Sequence, residues 1–167
     1  EVSGVTKHIF EHELDDILSM WNTEIKSVTP LLPRKYTKAD IIALLKYYYP
    51  HEWQSVESKY KYYRTKDKYL KRRFGKSRYN MSEPELLIQR VSAFKKIFSE
   101  SYKCAHWNAY SERSRVDSSV KLWEARKSKI DRINSKIEIA LSKTQQVTPS
   151  FINQLIGLYE RKDTTQK

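Results

Sequence analysis

The sequence predicts an all-α fold, because turn-forming residues are scarce and apolar residues recur at helical spacing. The 167 residues include only three Gly and five Pro, too few for a turn-rich sandwich or barrel. Three Gly are also too few to form a glycine-rich loop of the kind that binds nucleotides. We expect a single helical domain over residues 1–167, since compact domains cluster at about 100–150 residues.

The first predicted helix has one apolar face. Its apolar residues recur at steps of three and four, and they are Phe10, Leu14, Ile17, Leu18, Trp21, Ile25 and Val28. Pro30 and Pro33 prevent the helix from continuing. The segment 28–36 should therefore be extended, with Leu31 and Leu32 packed inward.

Two further helices are predicted before Gly75. Thr37 and Asp40 have the spacing of a capping box, so the second helix should begin near Lys38 and end at Pro50. The third should run from about 51 to 74, although two shorter helices broken near Thr65 remain open. Its inward residues would be Tyr60, Tyr63, Leu70 and Phe74.

The second half of the chain predicts a long antiparallel helical hairpin. Ser82 and Glu85 form a capping box, and the fourth helix should continue through Leu87, Val91, Phe94, Phe98 and Tyr102. The apolar residues of the fifth helix lie close to heptad spacing, and they are Val116, Val120, Trp123, Ile130, Ile133, Ile137 and Leu141.

Thr148 and Pro149 are typical of the start of a sixth helix, and residues 163–167 form a polar tail. The prediction is a bundle of five to six helices, with the first three packed against the hairpin of the fourth and fifth. A chain that starts at Glu1 rather than Met is also expected to be a fragment of a longer protein.

Most of the positive charge lies in one segment. The net charge is +12, and the segment 59–78 carries +9 of it, with ten basic residues against the single acid Asp67. Its tyrosines and phenylalanine alternate with the charges. If the segment is helical, the outer face is a basic stripe of Lys61, Arg64, Lys68, Lys71 and Arg72.

A basic stripe backed by aromatic residues favours binding of phosphate backbone. The predicted nucleic-acid-binding residues are Lys59, Lys61, Arg64, Lys66, Lys68, Lys71, Arg72, Arg73, Lys76 and Arg78, with Tyr62 and Tyr69 available to stack on unpaired bases. The function that we predict from the sequence is non-enzymatic nucleic-acid binding with weak sequence specificity, to DNA or RNA.

Three alternatives remain open at this stage. The basic segment could pair with acids of the first helix such as Glu11, Glu13 and Asp16, in the same domain or across a dimer. It could lie on anionic lipid, although its aromatic residues already match the core stripe. The chain could instead be a helical interaction, dimerisation or regulatory module of a larger effector, with a homo-oligomer or a partner protein bound through the hairpin.

The sequence predicts no catalytic residue, no metal site and no cofactor. His8, Glu11 and His12 match the H-x-x-E-H zinc pattern, but no third ligand stands out, and a polar helix face shared with Asp15 and Asp16 explains them better. The single cysteine, Cys104, cannot form an internal disulfide, which favours an intracellular protein in the cytoplasm or nucleus. An enzymatic activity stays open only if a longer chain supplies the site.

Overall fold

The computed structural model describes residues 3–143, with side chains from residue 6 onward. The sixth predicted helix and the polar tail 163–167 lie outside the described residues. Within them the chain is helical and has no strand. The helices are α1 (Ser3–Val28), α2 (Lys38–Tyr48), α3 (Pro50–Phe74), α4 (Pro84–Leu87), α5 (Ser92–Ile97), α6 (Glu100–Ala109) and α7 (Glu112–Lys143), with short 3₁₀ helices at Thr29–Leu31 and Ile88–Arg90.

The chain divides into two compact units, Glu1–Glu124 and Ala125–Lys167. The first contains the hydrophobic core, and the described part of the second is the C-terminal half of α7. The core joins α1 to α2, α3 and α5 around Trp21, which is fully buried and lies 5.5 Å from the ring of Trp53. None of the described helices combines the length and apolar composition that crossing a bilayer requires.

The first three predicted helices are confirmed. The apolar face of α1 is buried at Phe10, Ile17, Trp21, Ile25 and Val28. The segment after it contains a short 3₁₀ helix where extended backbone was predicted, because Thr29–Leu31 continues the helical turn for three residues.

The start of α2 and the continuity of α3 also agree with the sequence. The backbone N–H of Thr37 donates to the Asp40 carboxylate at 2.7 Å, and α2 begins at Lys38 as predicted. The third helix is unbroken, so the alternative of two helices divided near Thr65 is wrong. It ends at Gly75, whose φ of 77° is left-handed and unstrained only for glycine.

Phe74 was predicted to face inward, and this is wrong, because the side chain is 62% exposed. After Gly75 the chain turns back toward the middle of α3, where Tyr79 packs against Tyr63 with ring centroids 4.8 Å apart. The Phe74 side chain therefore lies at the surface on the last turn of α3.

The fourth predicted helix is wrong as a single element. The chain forms α4, a 3₁₀ turn, α5 and α6 instead, with extended backbone at Val91 (ψ 132°) and Ser99 (ψ 146°). Ser82 is not the cap, since α4 starts after Glu83 without a side-chain cap. The antiparallel hairpin is therefore not confirmed, whereas the fifth predicted helix corresponds to α7.

A side chain from another helix explains the break at Val91. The amide oxygen of Asn22, on α1, accepts hydrogen bonds from the Ala93 N–H and the Ser92 hydroxyl, both at 3.0 Å. It thereby caps the first turn of α5 from outside that helix.

We expect Asn22→Ala to lower the free energy of unfolding by about 1 kcal/mol, because it removes this cap. Urea unfolding followed by circular dichroism would measure the change. Asn108→Ala, at an exposed position on α6, is the control and should change stability by less than about 0.5 kcal/mol. Equal effects of the two substitutions would contradict the capping role.

Tyr36 connects the loop after α1 to the end of α5. Its buried hydroxyl donates to the Ile97 carbonyl oxygen, and its ring meets Phe98 and His106 edge-on at 5.5 and 5.2 Å. Burial is the main cause that raises its pKa to about 12 from the ordinary 10.0. The folded state therefore holds the phenolic proton more tightly than the unfolded state.

Because this pKa is raised in the folded state, protonated Tyr36 contributes to the free energy of unfolding below pH 10. This contribution should be lost as the pH rises toward 12. At neutral pH, Tyr36→Phe should cost about 1 kcal/mol, because the buried carbonyl loses its donor. The difference in unfolding free energy between wild type and variant should narrow between pH 10 and 12. A difference that stays constant over that range would contradict the account.

Candidate functional site

The basic segment 59–78 occupies the second half of α3 and the loop that follows it. The five residues of the predicted stripe are all exposed, as their spacing indicates. Of the twelve predicted binding residues, the exposed ones are Lys61, Arg64, Lys68, Tyr69, Lys71, Arg72, Arg73 and Lys76, and the partly buried ones are Lys59, Tyr62, Lys66 and Arg78.

The aromatic residues of this segment contact cations and rings of the chain itself. The ammonium of Lys66 lies 4.7 Å from the ring centre of Tyr62, which is half-buried with its ring against Tyr63. The Tyr69 hydroxyl accepts a hydrogen bond from Arg73 at 3.0 Å. Cation–π and hydrogen-bond contacts of this kind offset part of the repulsion within a dense basic run.

The acids of α1 do not neutralise the segment. None of its ten basic residues forms an ion pair within the part of the chain that the structure describes. Glu13 instead accepts a hydrogen bond from the Tyr63 hydroxyl. Burial, and after it this hydrogen bond, raises the pKa of that tyrosine. The interpretation that these charges pair with α1 inside the domain is therefore not supported.

Asp67, the single acid of the segment, has a structural role that the sequence analysis missed. Its buried carboxylate accepts three backbone hydrogen bonds, from Arg78 and Tyr79 at 2.9 Å and from Asn80 at 2.7 Å. Asn80 has a positive φ of 48°, so the loop bends sharply at this carboxylate. One acid within a basic run, at a helical position that disfavours Asp, was the signal in the sequence.

The H-x-x-E-H residues have no third ligand grouped with them within the described part of the chain. His8, Glu11 and His12 are exposed on α1, and His12 lies 4.0 Å from Asp16. Within residues 3–143, no group of three or more His, Cys, Asp or Glu side chains could hold a metal ion. Cys104 is exposed on α6.

A cluster of polar contacts fixes the start of α7. Glu112 accepts hydrogen bonds from Arg115, including one from Nε at 3.1 Å, and another from the Tyr110 hydroxyl. These bonds, with Arg115 the largest cause, lower the pKa of Glu112 to about 2. Beside the cluster lies an open groove of about 500 Å³, lined in part by Leu31, Leu44 and Tyr47.

The exposed face of α7 is unusually apolar. Eight large apolar side chains of α7 are between 46% and 61% exposed, including Ile133 and Ile139. The other six follow one another at steps of three, four or seven residues, and they are Val116, Val120, Trp123, Ile130, Ile137 and Leu141. We call this set the α7 stripe. Leu122, on a different face of the same helix, packs against the core. Exposed apolar patches of this size are typical of interaction sites.

One comparison with known proteins bears on function. The chain is 26% identical over 159 residues to a protein of Cytobacillus dafuensis named "Putative cyclic ADP-D-ribose synthase TIR2". The match covers 95% of this chain and 42% of that protein, so the chain spans less than half of the relative. No family model and no solved structure matches the chain.

This relative contradicts the prediction that the chain is a nucleic-acid-binding domain. Its name states the synthesis of cyclic ADP-D-ribose and refers to no nucleic acid, and the match extends over nearly the whole chain. A physical reason for the error is visible in α3. The interleaved aromatic residues that suggested base stacking contact neighbouring cations and rings, and the one acid holds the loop.

Proposed function

We propose that the chain is a helical self-association module of a larger multidomain protein. The observation that carries this proposal is the α7 stripe, which leaves six large apolar side chains about half exposed. Burying such a stripe against another helix is the usual way in which an amphipathic helix gains stability. The interaction surface is α7, rather than the hairpin predicted from the sequence.

The relative supports a role within a larger protein. More than half of that synthase lies outside the matched region. Within the described residues, Asn22 and Asp67 have structural roles, since Asn22 caps α5 and Asp67 holds the loop after α3. We therefore place any nucleotide chemistry of a longer protein outside this module, whose contribution would be to bring copies together or to regulate them.

Co-expression of two copies of the chain that carry different affinity tags tests the proposal. Purification through one tag should retain the other copy, and retention should persist at high salt, because apolar contacts are not screened by ions. Recovery of a single tagged species at all protein concentrations would contradict self-association. Loss of the second copy at high salt would show that charged surfaces, and not the α7 stripe, hold the copies together.

A further inference from the structure

We propose that α7 pairs with α7 of a second copy in parallel and in register, as a coiled coil. This inference rests on the proposed self-association and adds the identity and orientation of the partner helix. The sequence of α7 contains almost four consecutive heptads over residues 116–141. The d positions are Val116, Trp123, Ile130 and Ile137, and the a positions are Val120, Lys127, Asn134 and Leu141.

The acids of α7 oppose the antiparallel alternative. All four e positions are acidic, and they are Asp117, Glu124, Asp131 and Glu138. In an antiparallel pair, e positions face e positions of the other helix. The register that matches every a residue with a d residue would place Asp117 opposite Glu138 and Glu124 opposite Asp131. Each of these contacts would occur twice in the dimer, because the two helices are identical. Every one of these contacts is repulsive.

A parallel pair removes this repulsion. There, e positions face g positions of the other copy. The g positions are Ser119, Arg126, Ile133 and Ala140, none of them acidic. The charges at the e and g positions therefore disfavour only the antiparallel orientation, whereas at the a positions the parallel pair places Lys127 opposite Lys127 of the other copy.

The polar a positions define the register. Asn134 can form an amide-to-amide hydrogen bond with its counterpart only if the two helices are parallel and aligned, because a shift by one heptad places it against Lys127 or Leu141. Lys127 can pack its aliphatic stem along the seam, which is the row of a and d residues between the two helices, and keep its ammonium in water. Polar residues at a positions reduce the stability of a coiled coil and specify its alignment.

Single cysteines on α7, in a background that carries Cys104→Ser, test the orientation. Val120→Cys and Ile137→Cys lie on the seam 17 residues apart, about 25 Å along a helix. In the parallel, in-register pair each variant should form a disulfide with itself on mild oxidation. In the antiparallel pair position 120 lies opposite position 137, so only a mixture of the two variants should cross-link. Lys121→Cys, outside the seam at a b position, is the control and should not cross-link.

Self-cross-linking of both seam variants, with Lys121→Cys unreacted, would support the proposal. Cross-linking only in the mixture would overturn the parallel orientation and leave the proposed self-association intact. If neither variant reacts but the Cys104→Ser protein still associates in sedimentation, the seam is not on α7 and the inference is wrong. If that protein is monomeric, the proposed function fails as well.

Discussion

Replacing Ile130 and Ile137 together by Glu is expected to convert the self-associated chain into a monomer. Both side chains are about half exposed and lie outside the core cluster, so the fold of residues 1–124 should be unaffected. Each substitution exchanges apolar contact for a buried charge and places it beside an existing acid, Asp131 or Glu138. We expect apparent affinity to fall by at least about 100-fold, about 3 kcal/mol.

The matched control is Ser128→Glu with Ser135→Glu. These residues are also seven positions apart on α7 and give the same change in net charge, but they lie at b positions outside the seam. Light scattering after gel filtration would report the mass of each variant. The control should keep the mass of the wild type, and a double Ile variant that also kept it would show that the stripe is not the contact.

Asp67→Ala is expected to cause a large loss of stability. The substitution leaves three backbone N–H groups without their acceptor, and one of them belongs to the buried Tyr79. An unsatisfied donor costs about 1–3 kcal/mol where it is shielded from water. Because the Tyr79 hydrogen bond is buried and those of Arg78 and Asn80 are part-buried, we expect a loss of about 2–4 kcal/mol. This is a large part of the about 5–15 kcal/mol that stabilises a typical domain.

Urea unfolding would measure this loss as a lower midpoint with an unchanged slope. Asp67→Asn keeps one acceptor oxygen and should have an intermediate effect. Asp131→Ala, an exposed acid of α7, is the control and should change stability by less than about 0.5 kcal/mol. A loss below about 1 kcal/mol for Asp67→Ala would show that the loop is held by other contacts.

The elements that could be predicted from the sequence are those whose signals are local. The periodic apolar residues of α1, the capping box at Thr37, and Gly75 at the end of α3 each lie within the element that they define. They needed no knowledge of the rest of the chain. The continuity of α7 could be predicted for the same reason.

The fourth predicted helix failed because its boundaries depend on a distant residue. Asn22, about 70 positions earlier, supplies the cap that starts α5. Leu87, Val91 and Phe94 are buried as expected, but the chain around them is divided among short helices that turn around the core. Apolar spacing predicted which residues are buried and could not predict where the backbone would bend.

The α7 stripe could not be recognised as a surface from the sequence, because the sequence does not show which apolar residues lie outside the core. The heptad spacing of α7 is visible in the sequence, where it was attributed to packing within a hairpin. Only the half-exposed side chains of Val120, Ile130 and Ile137 indicate a surface instead. The basic segment, in contrast, gave a strong signal from charge alone, and charge without a partner does not identify the ligand.

Sedimentation equilibrium of the chain over a range of concentrations measures self-association itself. The monomer has a mass of 20.0 kDa. Self-association through α7 predicts a weight-average mass that rises with concentration to at least twice this value, at low and at high salt. A mass that stays at 20.0 kDa over the whole range would contradict the account.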